Sequence, residues 1–182
     1  MFNLTDIILL TTAIIFIAVA FWQLLKTLSG DAPFIFSRRR ALNLAADNLI
    51  LKPGQEVWEL GAGSAPLLRR LARRYPQNNF IGYEYLPLPW LLGTLLCLPY
   101  RNIKIKRKNF FQIDLAPAAY LYCFLNIKTM VKLEEKFLAS CRDNAVVISY
   151  IFVLPNLQPF KILPVGQEKI YFYRINNLDK TN

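Results

Sequence analysis

The sequence predicts an α/β domain, a mostly parallel sheet with helices on both faces, preceded by one membrane-spanning helix. Three observations carry this reading. An uncharged apolar run opens the chain, and short apolar runs then alternate with helix-periodic segments. A glycine-containing turn also separates the first of those short runs from the helix after it. A length of 182 residues suits one globular domain plus something small.

The apolar run, 7–25, reads IILLTTAIIFIAVAFWQLL. As a helix these nineteen residues cover about 28 Å, close to the thickness of a hydrocarbon core. Asp6 and Lys26 bound it, and Trp22 lies near one end, where aromatic belts form. A cleaved signal peptide would want a basic start and a shorter core, whereas MFNLTD has no Lys or Arg. Lys26, Arg38, Arg39 and Arg40 follow the span, so the positive-inside rule expects the C-terminal domain on the cytoplasmic side of a single-pass protein. The expected organisation is an anchor at 1–28, a linker at 29–37 and the α/β domain at 38–182.

The domain's elements follow in order. Ser37 can cap a helix over 38–51, with Leu42, Ala45, Ala46 and Leu49 at helical spacing. Lys52-Pro53-Gly54 ends it. A short strand at 56–60 leads through the glycine turn to a helix at 65–75, closed by Pro76. A second strand, 79–83, ends at Glu84. Pro87-Leu88-Pro89 starts a helix to 97. Residues 103–108 alternate apolar and basic, as a half-exposed strand does. The near-continuous apolar run at 120–125 fits a strand buried on both faces. A helix at 129–140 and a long buried strand at 145–154 come next. Residues 160–163 and 169–175 can pair around Val165-Gly166-Gln167 as a closing hairpin.

Composition removes several chemistries. The three cysteines, Cys97, Cys123 and Cys141, are widely spaced, and there is no histidine. A disulfide framework, a zinc site and every His-based hydrolytic mechanism are therefore excluded as readings, and no metal is expected. The net charge of +10 with a 54% hydrophobic fraction fits a protein facing anionic lipid or an acidic partner. Lys104, Lys106, Arg107 and Lys108 cluster, and anionic lipid explains them more simply than nucleic acid.

The stretch Glu59-Leu60-Gly61-Ala62-Gly63-Ser64 is the candidate chemical centre. Glycines there let the backbone turn sharply and approach a ligand. Glu84, about twenty residues on at the end of the second strand, can accept from both hydroxyls of a ribose. A nicotinamide site wants GxGxxG, and Pro66 occupies the place of its third glycine. An acidic residue followed by GxGxG is instead the methyltransferase pattern. Glu59 supplies the acid, suited to an ammonium group, and Ala65 replaces the last glycine. After the third strand, Asn109 and Phe110 are candidates for an adenine amino group and ring. Ala62, inside the turn, and Tyr85, after Glu84, complete the candidate cofactor set. Asn126, Tyr150 and Phe152 fall at or beyond carboxyl ends of strands, where open α/β sheets place ligands, and are the acceptor-site candidates.

These residues resemble a known family. ELGAGS, FIGYEYLPLPW, FLNIKTMVKLEEKF, VVISYIFVLPNLQP and IYFYRI together look like the small membrane-anchored class I lysine methyltransferases, similar to the mitochondrial ATP synthase c-subunit and adenine nucleotide carrier enzymes and their prokaryotic relatives. The resemblance implies a Rossmann-like class I methyltransferase sheet and S-adenosyl-L-methionine as cofactor. It implies that Glu59, Gly61 and Gly63 line the cofactor's amino-acid end, Glu84 its ribose and Asn109 its adenine. Expected partners are the bilayer and a membrane protein with an accessible lysine. Ser64, where many relatives carry Asp, and Asn126-Ile127-Lys128, where many carry prolines, depart from the pattern. A lipid or quinone acceptor and a non-catalytic scaffold remain as alternatives.

Overall fold

The computed structural model describes residues 3–28 and 39–176, with the side chains of 20 and 22–28 left outside the description. The expected linker, the Ser37 cap and the last six residues also lie outside it. The chain divides into two compact units, Met1–Ile35 and Phe36–Asn182.

In the first unit α1 runs Leu4–Leu28. Asn3 and Asp6 form a reciprocal cap: the Asp6 N–H donates to Asn3 Oδ1 at 2.9 Å, and the Asn3 N–H donates to Asp6 Oδ2 at 3.1 Å. Thr11 and Thr12 bond inside the helix, their hydroxyls donating to the Ile8 carbonyl at 3.0 and 2.7 Å. The described apolar side chains from Ile7 to Phe21 are exposed, apart from the half-buried Val19. Among the described residues, no helix is long and apolar enough to cross a membrane. The span read from the sequence continues to 25, past the last described side chain.

The second unit is a seven-stranded sheet. Its elements in chain order are α2 (Arg39–Asp47), β1 (Glu56–Leu60), α3 (Pro66–Arg74), β2 (Asn79–Glu84), α4 (Pro87–Cys97), β3 (Ile103–Arg107), a single 3₁₀ turn (Phe110–Gln112), β4 (Ala118–Cys123), α5 (Ile127–Ser140), β5 (Val146–Tyr150), β6 (Lys161–Val165) and β7 (Glu168–Arg174). The strand order is β3-β2-β1-β4-β5-β7-β6. The first five strands run parallel, β7 lies antiparallel beside β5, and β6 pairs with β7 across a two-residue turn, Gly166-Gln167. This is the Rossmann-like arrangement expected. The chain leaves β1 toward β2 on one side and returns as β4 on the other, so the switch point lies between the carboxyl ends of β1 and β4.

Alternation along the strands splits the core into two layers. Val57, Tyr122, Ile148 and Tyr150 join α2 and α3 in one cluster. Cys123 and Ser149 face the other way, against Met130 of α5. All three cysteines are buried, and burial pushes the Cys97 thiol up to about 11 and the Cys123 thiol up to about 12. They are packing groups rather than nucleophiles.

Several expected boundaries move, each for a local reason. α2 stops at Asp47 rather than 51: the Asn48 N–H makes the last i→i−4 bond, to the Leu44 carbonyl that its side-chain amide also reaches, and the Leu49 N–H turns to Ala46 instead. β4 begins two residues early, at Ala118, where the register with β1 starts. α5 starts at Ile127 because Asn126 caps it. The long strand expected at 145–154 ends at Tyr150. Ile151 there adopts φ 72°, and the Ser149 hydroxyl donates to the Phe152 carbonyl at 2.5 Å, so the chain leaves the sheet.

Candidate cofactor and acceptor site

The glycine turn leaves β1 at the switch point. Left-handed backbone recurs at alternate residues: Gly61 at φ 71°, Gly63 at φ 50° and Ala65 at φ 50°. Glycine takes this conformation freely, whereas alanine pays about 1–2 kcal/mol for it. Ala65 therefore keeps the geometry of the missing third glycine at a cost. The Gly61 and Ala62 N–H groups both donate to the Tyr83 carbonyl of β2, at 2.9 and 3.0 Å. A side chain at Gly61 would press on Leu125 beyond β4, with its Cβ 2.9 Å from Leu125 Cδ2.

Two glycines outside the motif shape the turn as much as those inside it. A Cβ at Gly93, in the middle of α4, would sit 2.2 Å from the Gly63 carbonyl oxygen. A Cβ at Gly82 on β2 would sit 2.8 Å from Ala62 Cβ. Sequence reasoning passed over both. The isolated glycine inside PLPWLLGTLLC was the available signal for the first, since a helix tolerates glycine there only at a cost.

Two buried carboxyls flank the turn. Glu84 Oε2 accepts the Gly63 N–H at 3.0 Å, and Oε1 accepts the Leu86 N–H at 2.9 Å. Burial raises its pKa, against the pull of those backbone N–H groups. The Tyr85 N–H draws on the same carboxyl, so Glu84 is held by backbone on several sides at the place where a ribose would lie. Glu59 is 4% exposed, and its Oε2 has no hydrogen-bond partner. Burial pushes its pKa up to about 8, against the Leu68 N–H and the charges of Arg69 and Arg70, with Glu84 pushing the same way as burial. An arriving cation would supply the missing partner and favour ionisation.

Beyond β3 lies a cleft of about 450 Å³ lined by Tyr85, Arg107, Lys108, Asn109, Gln112 and Ile113. The structure thus brings Tyr85 and Asn109 together. Asn109 Oδ1 accepts the Phe111 N–H at 3.0 Å and shapes the 3₁₀ turn. Phe110 is half-buried, its ring 4.8 Å from that of Phe111.

At the other side of the switch point the acceptor candidates part company. Asn126 Oδ1 accepts the Thr129 N–H at 2.8 Å as the cap of α5. Tyr150 is a core residue, 1% exposed, with its hydroxyl bonded to Glu168. Its ring lies 4.8 Å from that of Phe124. Phe152 is half-buried and stacks on Phe124 at 6.4 Å. Phe124 belongs to this aromatic group, and the sequence reading missed it inside the expected strand. Glu134 was missed too. Buried on α5, it accepts the N–H groups of Asn156 and Leu157 at 2.8 Å each and the Asn156 side chain at 2.8 Å, fastening the segment after β5.

The chain is similar to the adenine nucleotide translocase lysine N-methyltransferase of Mus musculus, 25% identical over 156 residues, which is 83% of this chain and 66% of the relative. The chain therefore spans just under two thirds of that relative's length. Its fold is similar to an RNA methyltransferase from Salinibacter ruber in complex with S-adenosyl-L-homocysteine (TM-score 0.73, 14% identity, covering 78% of this chain and 94% of that one). It is similar also to a precorrin-6y C5,15-methyltransferase from Geobacter metallireducens (TM-score 0.64, 10% identity, 80% and 92% covered). The model of the ANTKMT methyltransferase domain matches 59–161, more than half of the chain and all of the site from Glu59 to Phe152. The chain belongs to the ANTKMT methyltransferase domain family and carries an S-adenosylmethionine-dependent methyltransferase domain.

Proposed function

We propose that this protein methylates lysine side chains of a membrane-associated protein. The observation that carries the reading is the convergence at the β1/β4 switch point. On one side lie a glycine turn braced by Glu84 and the orphaned Glu59 Oε2; on the other lie the stacked rings of Phe124 and Phe152. Likeness to a lysine N-methyltransferase over 83% of the chain supports the acceptor class.

The residues fit S-adenosylmethionine. Glu84 would hold the ribose, Glu59 the cationic amino-acid end, and Asn109, Phe110 and Tyr85 the adenine side. When bound, the cofactor supplies a methyl group already activated on a sulfonium. The protein's share is orientation and proximity. A lysine entering among Phe124 and Phe152 loses water, which lowers its pKa and favours the neutral nucleophile. The same aromatic faces favour the cationic product.

Anchoring belongs to the same proposal. The uncharged run 7–25 is supported by the threonine hydroxyls that bond back into α1, since polar groups in hydrocarbon must be satisfied internally. The charges at 26 and 38–40 support a catalytic domain on the cytoplasmic side. Incubating membranes with methyl-labelled cofactor tests the whole. Label on protein lysines supports the proposal. Label in the lipid extract would replace it with a lipid or quinone methyltransferase, and absence of cofactor binding would remove both.

A further inference from the structure

Helix α4 has an unusual surface. Pro89, Gly93 and Cys97, one stripe at four-residue spacing, are its buried positions. Its exposed positions are all leucine: Leu88 45%, Leu91 47%, Leu92 40%, Leu95 54% and Leu96 39% exposed, with Leu98 beyond the end at 72%. A surface helix ordinarily carries charge on such a face. Here no acidic residue occurs anywhere between Glu84 and Asp114. The cations sit at the helix's two ends. Arg101 follows its carboxyl end. Arg107, with Lys108 next to it, pairs in register with Glu84, three residues before α4 begins. Lys104 and Lys106 alternate to the opposite face of the sheet edge, with the Lys106 ammonium over the Tyr83 ring.

We propose that α4, with the cations at its two ends, is a docking surface for an anionic bilayer, separate from the N-terminal helix. Leucines sink to the acyl boundary while arginine and lysine meet lipid headgroups, the division of labour of an interfacial helix. The charge pattern selects this occupant. A groove on a partner protein would need the leucines alone. A second copy of this chain would bring cations against cations, because the segment offers no acid to face them. The surface also adjoins the site: α4 packs against the Gly63 carbonyl through Gly93, and Arg107 and Lys108 line the cleft. Docking through α4 would set that cleft at headgroup level, where a surface lysine of an embedded protein lies within reach. The proposal stands whatever the acceptor is.

The test uses the full chain in vesicles. Leu95→Cys carries an environment-sensitive fluorophore, the native cysteines being buried. Leu92→Cys repeats the reading, and a label at the exposed Glu135 on α5 is the control. Near-ultraviolet circular dichroism checks folding independently of cofactor binding. With brominated acyl chains, labels at 92 and 95 should be quenched in vesicles containing phosphatidylglycerol and stay in water in pure phosphatidylcholine. Arg101→Glu should lower the docked-to-undocked ratio about tenfold. Labels at 92 and 95 that remain in water on both vesicles would overturn the proposal. So would protection equal to that at 135, or protection appearing only when a membrane protein is added.

Discussion

The two sides of the switch point are built by different rules. On the β1–β2 side, backbone does the work: positive-φ turns, N–H groups aimed at Glu84, and glycines where a Cβ would collide with main chain or with a neighbour's Cβ. On the β4–β5 side, side chains do it: stacked Phe124 and Phe152, a left-handed Ile151, and a loop fastened by the buried Glu134. Backbone geometry suits a ligand that never changes. On the proposed function, side-chain packing can be retuned for a different acceptor without disturbing the cofactor, so the two halves should fail differently when altered.

The largest effect is expected at Gly93. Gly93→Val forces α4 off the Gly63 carbonyl, and calorimetry should detect no S-adenosylmethionine binding on a chain that still folds; retained affinity would break the claim that α4 shapes the turn. Next is Glu84→Ala. It removes two charge-assisted hydrogen bonds that contribute about 1.5–3 kcal/mol each, so the dissociation constant should rise by two orders of magnitude or more. An unchanged constant would mean that neither the turn nor the ribose depends on this carboxyl.

Glu59 gives the pH dependence. Its folded pKa of about 8 exceeds the ordinary 4.5, so the folded state binds the proton more tightly than the unfolded chain. Its contribution to stability is full below about 4.5 and is lost as pH rises toward 8. The unfolding free energy from denaturant titrations should fall across that window by on the order of a few kcal/mol, with the midpoint falling alongside it. Glu59→Gln, which mimics the protonated form, should flatten the fall, and a wild-type midpoint independent of pH would rule out a buried neutral carboxyl.

The smallest expected effect sharpens the contrast most. Glu134→Ala frees the segment after β5 and should cost about 1–3 kcal/mol of stability. Methyl transfer should drop while cofactor affinity holds; loss of both in equal measure would show that the two sides are not separable.

Much of this was legible in the chain because it is local. Strand and helix identities follow from periodicity, and a turn that needs positive φ announces itself by glycine, so Glu59, Gly61, Gly63 and Glu84 could be named from spacing. That the strands run mostly parallel follows from their alternation with helices, whereas their order, with β4 on the far side of β1 from β2, came only with the tertiary structure. What periodicity could not supply was which groups meet. An apolar run looks the same where it is a strand and where it leaves the sheet, which is why Ile151 and the end of β5 were missed. Tyr150 at the end of a strand reads equally as a site residue or a core residue, and only its burial beside Phe124 and its bond to Glu168 decide for the core. Asn126 caps a helix whose start depends on where β4 stops. Gly93 matters because tertiary packing brings a helix thirty residues downstream onto the Gly63 carbonyl. Local conformational preference is written residue by residue; contact across the fold exists only once the sheet has closed.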